Sequence, residues 1–243
     1  MSEGTSGGAT PDQIVDKYRP LADAIGRALK SPVLVYPARN FQNLEDGMRE
    51  RRFDLAMARP SDYPARAIRD YGYRYVANAL PDGQCVFLVP KGSPAKSLGD
   101  LKGKPVVLPE KVSYMAQLCR AELRDSGFDV GRDVQNVKEQ ESVVYQVKTN
   151  NAFAGGVASY SKAVKGIDEA GLREMARSRP QPYFPVVASP KISPAQIAAL
   201  RRELTGLSAS PAGQELLSRM GIKGYSGDGE ARLAEMLAWL EKK

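Results

Sequence analysis

The sequence contains no histidine at all. That absence removes the commonest general base, the commonest metal ligand and every Ser-His or Cys-His nucleophile pair. Cysteine is scarce as well: the 2 cysteines, Cys85 and Cys119, cannot build a zinc site of Cys and His type. They either pair as one disulfide in an oxidising compartment or remain two buried thiols, and both readings stay open. Long apolar runs are missing too, with no window near the ~20 residues of a membrane span. The opening stretch MSEGTSGGATP lacks a charged n-region and an apolar h-region, so no signal peptide is expected within this sequence. Gly7-Gly8 and Gly155-Gly156 do not make a GxGxxG fingerprint, and no P-loop spacing occurs. The carboxylates are scattered, and no acid–base pair can be nominated. An enzyme is therefore not expected, and neither a cofactor nor a metal is implied.

What is present reads as an ordinary globular protein. The chain has 243 residues, 42% apolar and 26% charged, which suits folded soluble domains. The net charge of +7 is spread along the sequence. Its densest run, residues 49–52, is broken by Glu50, and no basic stripe interleaves with stacking aromatics. Nucleic acid is not an expected partner. A positive field suits a small anionic ligand, although a basic solvated surface explains most of it.

Residues 17–63 carry the most information. Residues 18–29 place Leu21, Ile25, Ala28 and Leu29 on one helical face, and Ser31-Pro32 ends that helix. Residues 33–36 predict a short buried strand. Asn40 predicts a cap for a helix through Arg51, with Leu44 and Met48 inward. Residues 54–58 predict a strand that runs directly into a polar turn and a helix start at Pro60-Ser61. Strand ends feeding helix starts are where open α/β sheets place ligand sites. Residues 73–80 and 84–89 predict strands around a turn at Pro81-Asp82-Gly83.

The pattern then restarts. A short helical turn at residue 97 leads to a strand at 105–108 and a helix at 113–126 closed by Gly127. Residues 134–138 and 153–157 predict strands around a helix at 141–150, and 184–188 is again strand-like. Helices at 194–207, 211–220 and 230–242 finish the chain. Two strand–helix–strand sets imply two α/β lobes, and the last helices have no sheet of their own. The expected division is residues 1–82 with 181–243 for lobe 1, and 83–180 for lobe 2, with a hinge and an interlobe ligand cleft. A lobe of this kind should begin with a strand, yet the first helix starts near Pro11. Either that strand is missing ahead of Met1, or the polar segment after Met1 is a flexible scar.

Three stretches carry a resemblance. They are KYRPLADAIGRAL with VYPARNFQNLEDGMRERRFDLAMARPSDY, then SPAKSLGDLKGKPVVLPE, then FPVVASPKISPAQIAALRRELTGLSASPAGQELLSRMGIKGY. Together they resemble the periplasmic substrate-binding proteins of phosphate, phosphite and phosphonate ABC transporters, of the type II periplasmic binding protein fold. The resemblance implies a non-catalytic monomer that traps a small oxyanion between lobes and hands it to an inner-membrane permease. It also implies a location in the periplasm, or a lipid anchor on the outer face of the membrane. A ligand-sensing domain of a signalling receptor, or a binder of a non-phosphorus organic anion, is the alternative.

The resemblance also nominates a site. Ser113 and Tyr114, directly before and at a helix start, match an anion cradle of hydroxyls and backbone N–H groups. Val112 replaces a hydroxyl there, and Lys111 either supplies charge or is a solvated lysine. Ser61 and Tyr63 match a ligand-contacting turn, against readings as a helix cap and a packing residue. Arg59 is a strong oxyanion donor unless it pairs with Asp62. Phe41 replaces a phenol over the ligand, or is a core residue. Gln140 and Glu141 occupy a helix start where relatives place His and acids, and Ser159 stands near an expected Asp. Glu141 is otherwise an ordinary first-turn acid. Thr5 and Ser6 would add hydroxyls from the N-terminal loop.

Overall fold

In the computed structural model, residues 1–2, 9–38 and 40–242 are described. The chain divides into two compact units. The first comprises Met1–Asp82 and Pro182–Ala238, and the second Gly83–Gln181 with Trp239–Lys243.

The first unit opens with α1 (Pro11–Leu29), capped by Thr10, whose hydroxyl accepts from the Gln13 N–H while the Gln13 side chain returns a bond to Thr10. Then follow α2 (Phe41–Arg49), β1 (Leu55–Met57), α3 (Asp62–Tyr71) and β2 (Arg74–Gly83). The chain next builds the second unit from β3 (Cys85–Pro90), β4 (Val106–Leu108), α4 (Tyr114–Asp125), β5 (Val134–Asn136), α5 (Gln140–Lys148), β6 (Ala154–Ala158) and β7 (Leu172–Arg177). It returns through β8 (Gln181–Ala188), α6 (Pro194–Gly206), α7 (Pro211–Met220), β9 (Gly224–Ser226) and α8 (Glu230–Glu241).

The first unit holds a four-stranded sheet ordered β1-β8-β2-β9. β8, buried along its whole length, pairs antiparallel with β1, Met57 opposite Val186. One core is built from Leu44 and Met48 of α2, Ala56, Ala67, Tyr73 and Val187. Asn40 caps α2 by accepting from the Asn43 N–H at 2.7 Å. β9 pairs antiparallel with β2, so a strand follows α7 where only helices are expected from the sequence. The predicted turn at Pro81-Asp82-Gly83 is likewise absent, because β2 runs on through it.

The expected buried strand at residues 33–36 is the clearest departure. Leu34 is 91% exposed and Tyr36 56% exposed. An extended segment becomes a strand only when a neighbour takes its backbone groups. Among the described residues, its bonds to such a neighbour lie at Met1: the Met1 nitrogen donates to the Tyr36 carbonyl and the Ala38 N–H donates to Met1. Ser2 in turn makes an isolated parallel bridge to Ala58.

The second unit holds a mixed sheet ordered β5-β4-β6-β3-β7. β4 pairs parallel with β5 and β6, whereas β3 pairs antiparallel with β6 and β7. β7 went unforeseen because its sequence, LREMAR, has little β-branched or aromatic character. β6 is short and fully buried, and Gly155 and Gly156 explain how its surroundings close on it. A Cβ on Gly155 would lie 2.6 Å from Val143 and 2.9 Å from Val147 of α5. A Cβ on Gly156 would lie 2.8 Å from the Cys119 sulfur and 2.9 Å from that of Cys85. Cys85 and Cys119 form a disulfide that ties β3 to α4, both ends fully buried. At its far edge Trp239 donates to the Asp125 carboxylate at 2.7 Å and lies 4.5 Å beneath the Arg179 guanidinium. Burial works against the Asp125 charge, but the bonds from Trp239 and Arg124 outweigh it and hold its pKa below the usual value.

The disulfide closes a loop of sequence separation 34. Chain-entropy reasoning gives such a loop about 3–4 kcal/mol. The Cys85→Ala, Cys119→Ala double variant is expected to lose about 3 kcal/mol in urea unfolding, and Gly156→Ala to lose about 1–3 kcal/mol by overpacking. Unchanged midpoints would contradict this account of the second core.

Candidate functional site

In the first unit, β1 ends and the chain turns through Arg59, Pro60 and Ser61 into α3. Ser61 is fully buried. It stands at the N-cap position but does not cap, because its backbone is helical (φ −64, ψ −20) and its hydroxyl instead donates to the Arg59 carbonyl at 3.3 Å. That bond closes the turn locally. The Arg59 guanidinium lies 5.4 Å from the Phe184 ring centre and 6.0 Å from that of Tyr183. Its backbone N–H donates to the Ser2 carbonyl.

Phe184 was not singled out from the sequence, yet it has the most unusual backbone near the turn. Its φ is +50, and it precedes Pro185. A residue before proline is normally driven to extended geometry, so this left-handed residue costs about 1–3 kcal/mol. Its ring is held edge-on by Tyr18 of α1 at 6.1 Å.

Phe41 and Tyr63 come together as a stacked pair, ring centres 5.4 Å apart. Arg66 covers the other ring contact of Tyr63, with its guanidinium 4.3 Å from the ring centre, while bonding the buried Asp62 carboxylate at 3.0 Å. Glu45 stands 3.7 Å from Arg66. Partial burial raises the Tyr63 pKa, and the Asp62 charge adds to it against the opposing pull of Arg66. The Tyr63 phenol is therefore harder to ionise than a free one. Thr5 and Ser6 lie outside the described residues.

In the second unit Ser113 caps α4, accepting from the Ala116 N–H at 3.2 Å. Tyr114 is buried, whereas Lys111 and Val112 are exposed just ahead of the helix. Gln140 is buried at the start of α5, and its Oε1 accepts from the Ala158 N–H at 2.6 Å. That contact brings Gln140 beside Ser159, whose hydroxyl accepts from the Gln84 N–H at 3.1 Å. Glu141 is exposed in the first turn of α5 and is not drawn into this group. Gln84 and Ser178 extend the network, Gln84 donating to the Ser178 carbonyl and the Cys85 N–H to the Ser178 hydroxyl. Neither was legible beforehand, since a lone Gln before one strand and a lone Ser after another carry no spacing signal. Among the described residues no cluster of His, Cys, Asp and Glu could hold a metal.

Replacing Gln140 by Leu keeps the size and leaves the buried Ala158 N–H unpaired. The variant is expected to be about 1–3 kcal/mol less stable by denaturant titration. Full stability would show that Gln140 does not anchor the end of β6.

Comparison with known proteins gives the family and the fold. A family described as the periplasmic substrate-binding protein of phosphonate ABC transporters matches residues 8–227. A Xanthomonas citri protein solved with chloride ion is similar over 99% of this chain and 97% of its own, at 18% identity and TM-score 0.76. PhnD1 of Prochlorococcus marinus, solved with methylphosphonate, matches over 98% and 96%, at 14% identity and TM-score 0.73. An ancestral arginine-binding protein bound to arginine matches over 90% and 95%, at 16% identity and TM-score 0.59. These likenesses show a shared two-lobed fold. The family match covers most of the sequence, and the chain belongs to the periplasmic substrate-binding proteins of phosphonate ABC transporters, which bind a solute and do not transform it.

Proposed function

We propose that the chain captures a small phosphorus oxyanion, of the phosphate, phosphite or phosphonate class, and delivers it to the permease of its transporter. The observation that carries this reading is the start of α4. Ser113 caps the first turn beside the solvent-exposed Lys111 and Val112, and the helix dipole and the remaining N-terminal N–H groups favour negative charge there. The turn in the first unit supports it with a cation, Arg59, and a protonated phenol, Tyr63. Both kinds of group suit an oxyanion: the guanidinium offers paired donors, and the phenol a single neutral one. Glu141 is exposed in the first turn of its helix, where the dipole favours it, so it is not required as a ligand group. The methylphosphonate held by PhnD1 makes that compound the first to try.

A thermal-shift series with phosphate, phosphite, methylphosphonate, 2-aminoethylphosphonate, sulfate and carboxylates tests the reading. A ligand at 100 times its Kd adds about 2.7 kcal/mol and raises Tm by several degrees. A selective response to one phosphorus compound is expected, and Ser113→Ala should weaken its binding by about 1–3 kcal/mol in calorimetry. Silence toward every phosphorus compound, with a response to a carboxylate, would overturn the substrate class.

A further inference from the structure

β8 breaks the alternation that a strand imposes. In a regular strand consecutive side chains point to opposite faces. Tyr183 and Phe184 are consecutive in β8, yet their ring centres lie 5.8 Å apart, with the rings inclined at 40°. The cause is the Phe184 backbone, whose φ of +50 is left-handed and turns the side chain out of the alternating pattern. Both rings therefore stand on the same side of the strand.

The pairing with β1 fixes what those rings meet. Met57 stands opposite Val186, and the Ala58 N–H bonds the Pro185 carbonyl, so the same register carried one residue further sets Arg59 opposite Phe184. Residues directly opposite across two strands are close enough to interact. The Arg59 guanidinium lies 5.4 Å from the Phe184 ring centre and 6.0 Å from that of Tyr183, so two consecutive rings share one cation. Tyr18 of α1 meets Phe184 edge-on at 6.1 Å and backs the pair. Tyr18, Tyr183 and Phe184 are all buried. A glycine at this place would adopt the left-handed φ freely but would bring no ring. An ordinary strand residue would be unstrained but would send its ring to the other face. Phe184 keeps the ring beside the cation at the expense of strain before Pro185.

We propose that Phe184 is a positioning residue: its left-handed backbone sets two consecutive rings as a seat that orients the Arg59 guanidinium, in the turn before α3, ahead of ligand capture. The inference rests on the reading of Arg59 as an oxyanion donor. A long charged side chain that is ordered only on binding costs affinity, whereas a seated one has already given up that freedom. Loss of the seat is expected to weaken anion binding about threefold to tenfold.

The test uses the full chain. The Arg59 Nε–H signal in proton–nitrogen NMR is expected to be shifted by the neighbouring rings. Phe184→Leu should move it to the position of a solvated arginine. Tyr183→Leu, which leaves the left-handed residue in place, should move it part of the way. Calorimetry with methylphosphonate then runs Phe184→Leu as a cycle with Arg59→Ala. The ring variant is expected to weaken binding about threefold to tenfold when Arg59 is present, and by less than about twofold when it is not. An Arg59 signal untouched by both ring variants overturns the proposal, and so does equal weakening in the two backgrounds. If the parent binds no phosphorus anion, the oxyanion reading fails instead, and the Arg59 signal still decides whether the seat exists.

Discussion

The absence of side chains at Gly155 and Gly156 is the constraint on which the second unit depends. β6 lies between β4 and β3, with α4 and α5 both packed against it. A helix can approach a sheet so closely only where the strand carries nothing in the way. On one side the valines Val143 and Val147 of α5 occupy the space of a missing Cβ, and on the other the Cys85–Cys119 disulfide does. The starts of α4 and α5 are fixed as a consequence. Ser113 opens the first, and Gln140, bonded to the last residue of β6, opens the second. The ligand-facing chemistry proposed for this unit is therefore held by packing several residues away from it.

The first unit uses aromatic and cationic contacts for the same purpose. Its turn after β1 carries Arg59 against Phe184 and Tyr183, and Tyr18 of α1 holds Phe184 in turn. Phe184 sits in a backbone conformation that neither its side chain nor the following proline favours. Such strain persists only where the surroundings over-determine it. Here they are the buried strand β8 and the aromatic wall. A second layer, Asp62–Arg66–Tyr63–Phe41, orders the first turn of α3, where partial burial and the Asp62 charge raise the Tyr63 pKa against the pull of Arg66. Both units thus place a few polar groups at helix starts and immobilise them from behind.

Local signals were legible where the chemistry is local. Asn40 was readable as a cap because a short polar side chain before an apolar periodic run has one cheap use, and it accepts the expected N–H; Ser113, read as part of an anion cradle, caps its helix as well. The helices at residues 194–207 and 211–220 declared themselves through Ser-Pro starts. Ser61 looked the same in sequence, but its backbone is already helical and its hydroxyl turns back to Arg59. Residues 33–36 had the composition of a buried strand, yet Leu34 and Tyr36 are exposed, because a strand needs a partner that composition does not supply. β7 and β9 went unread for the opposite reason: their partners make them strands despite ordinary composition.

The amino-acid sequence alone determined the α/β class, the exclusion of histidine chemistry, the ordinary core composition and the family resemblance, because each depends on residue identity and short spacing. It left the state of Cys85 and Cys119 open, and only folding brought the two sulfurs together under Gly156. It could not pair Gln140 with Ala158, Gln84 with Ser159, or Arg59 with Phe184, since those partners are 18, 75 and 125 positions apart. Contacts at such separations carry no periodic trace along the chain. They exist because strand order and helix packing bring distant backbone groups within hydrogen-bonding reach, and burial then requires that each find a partner.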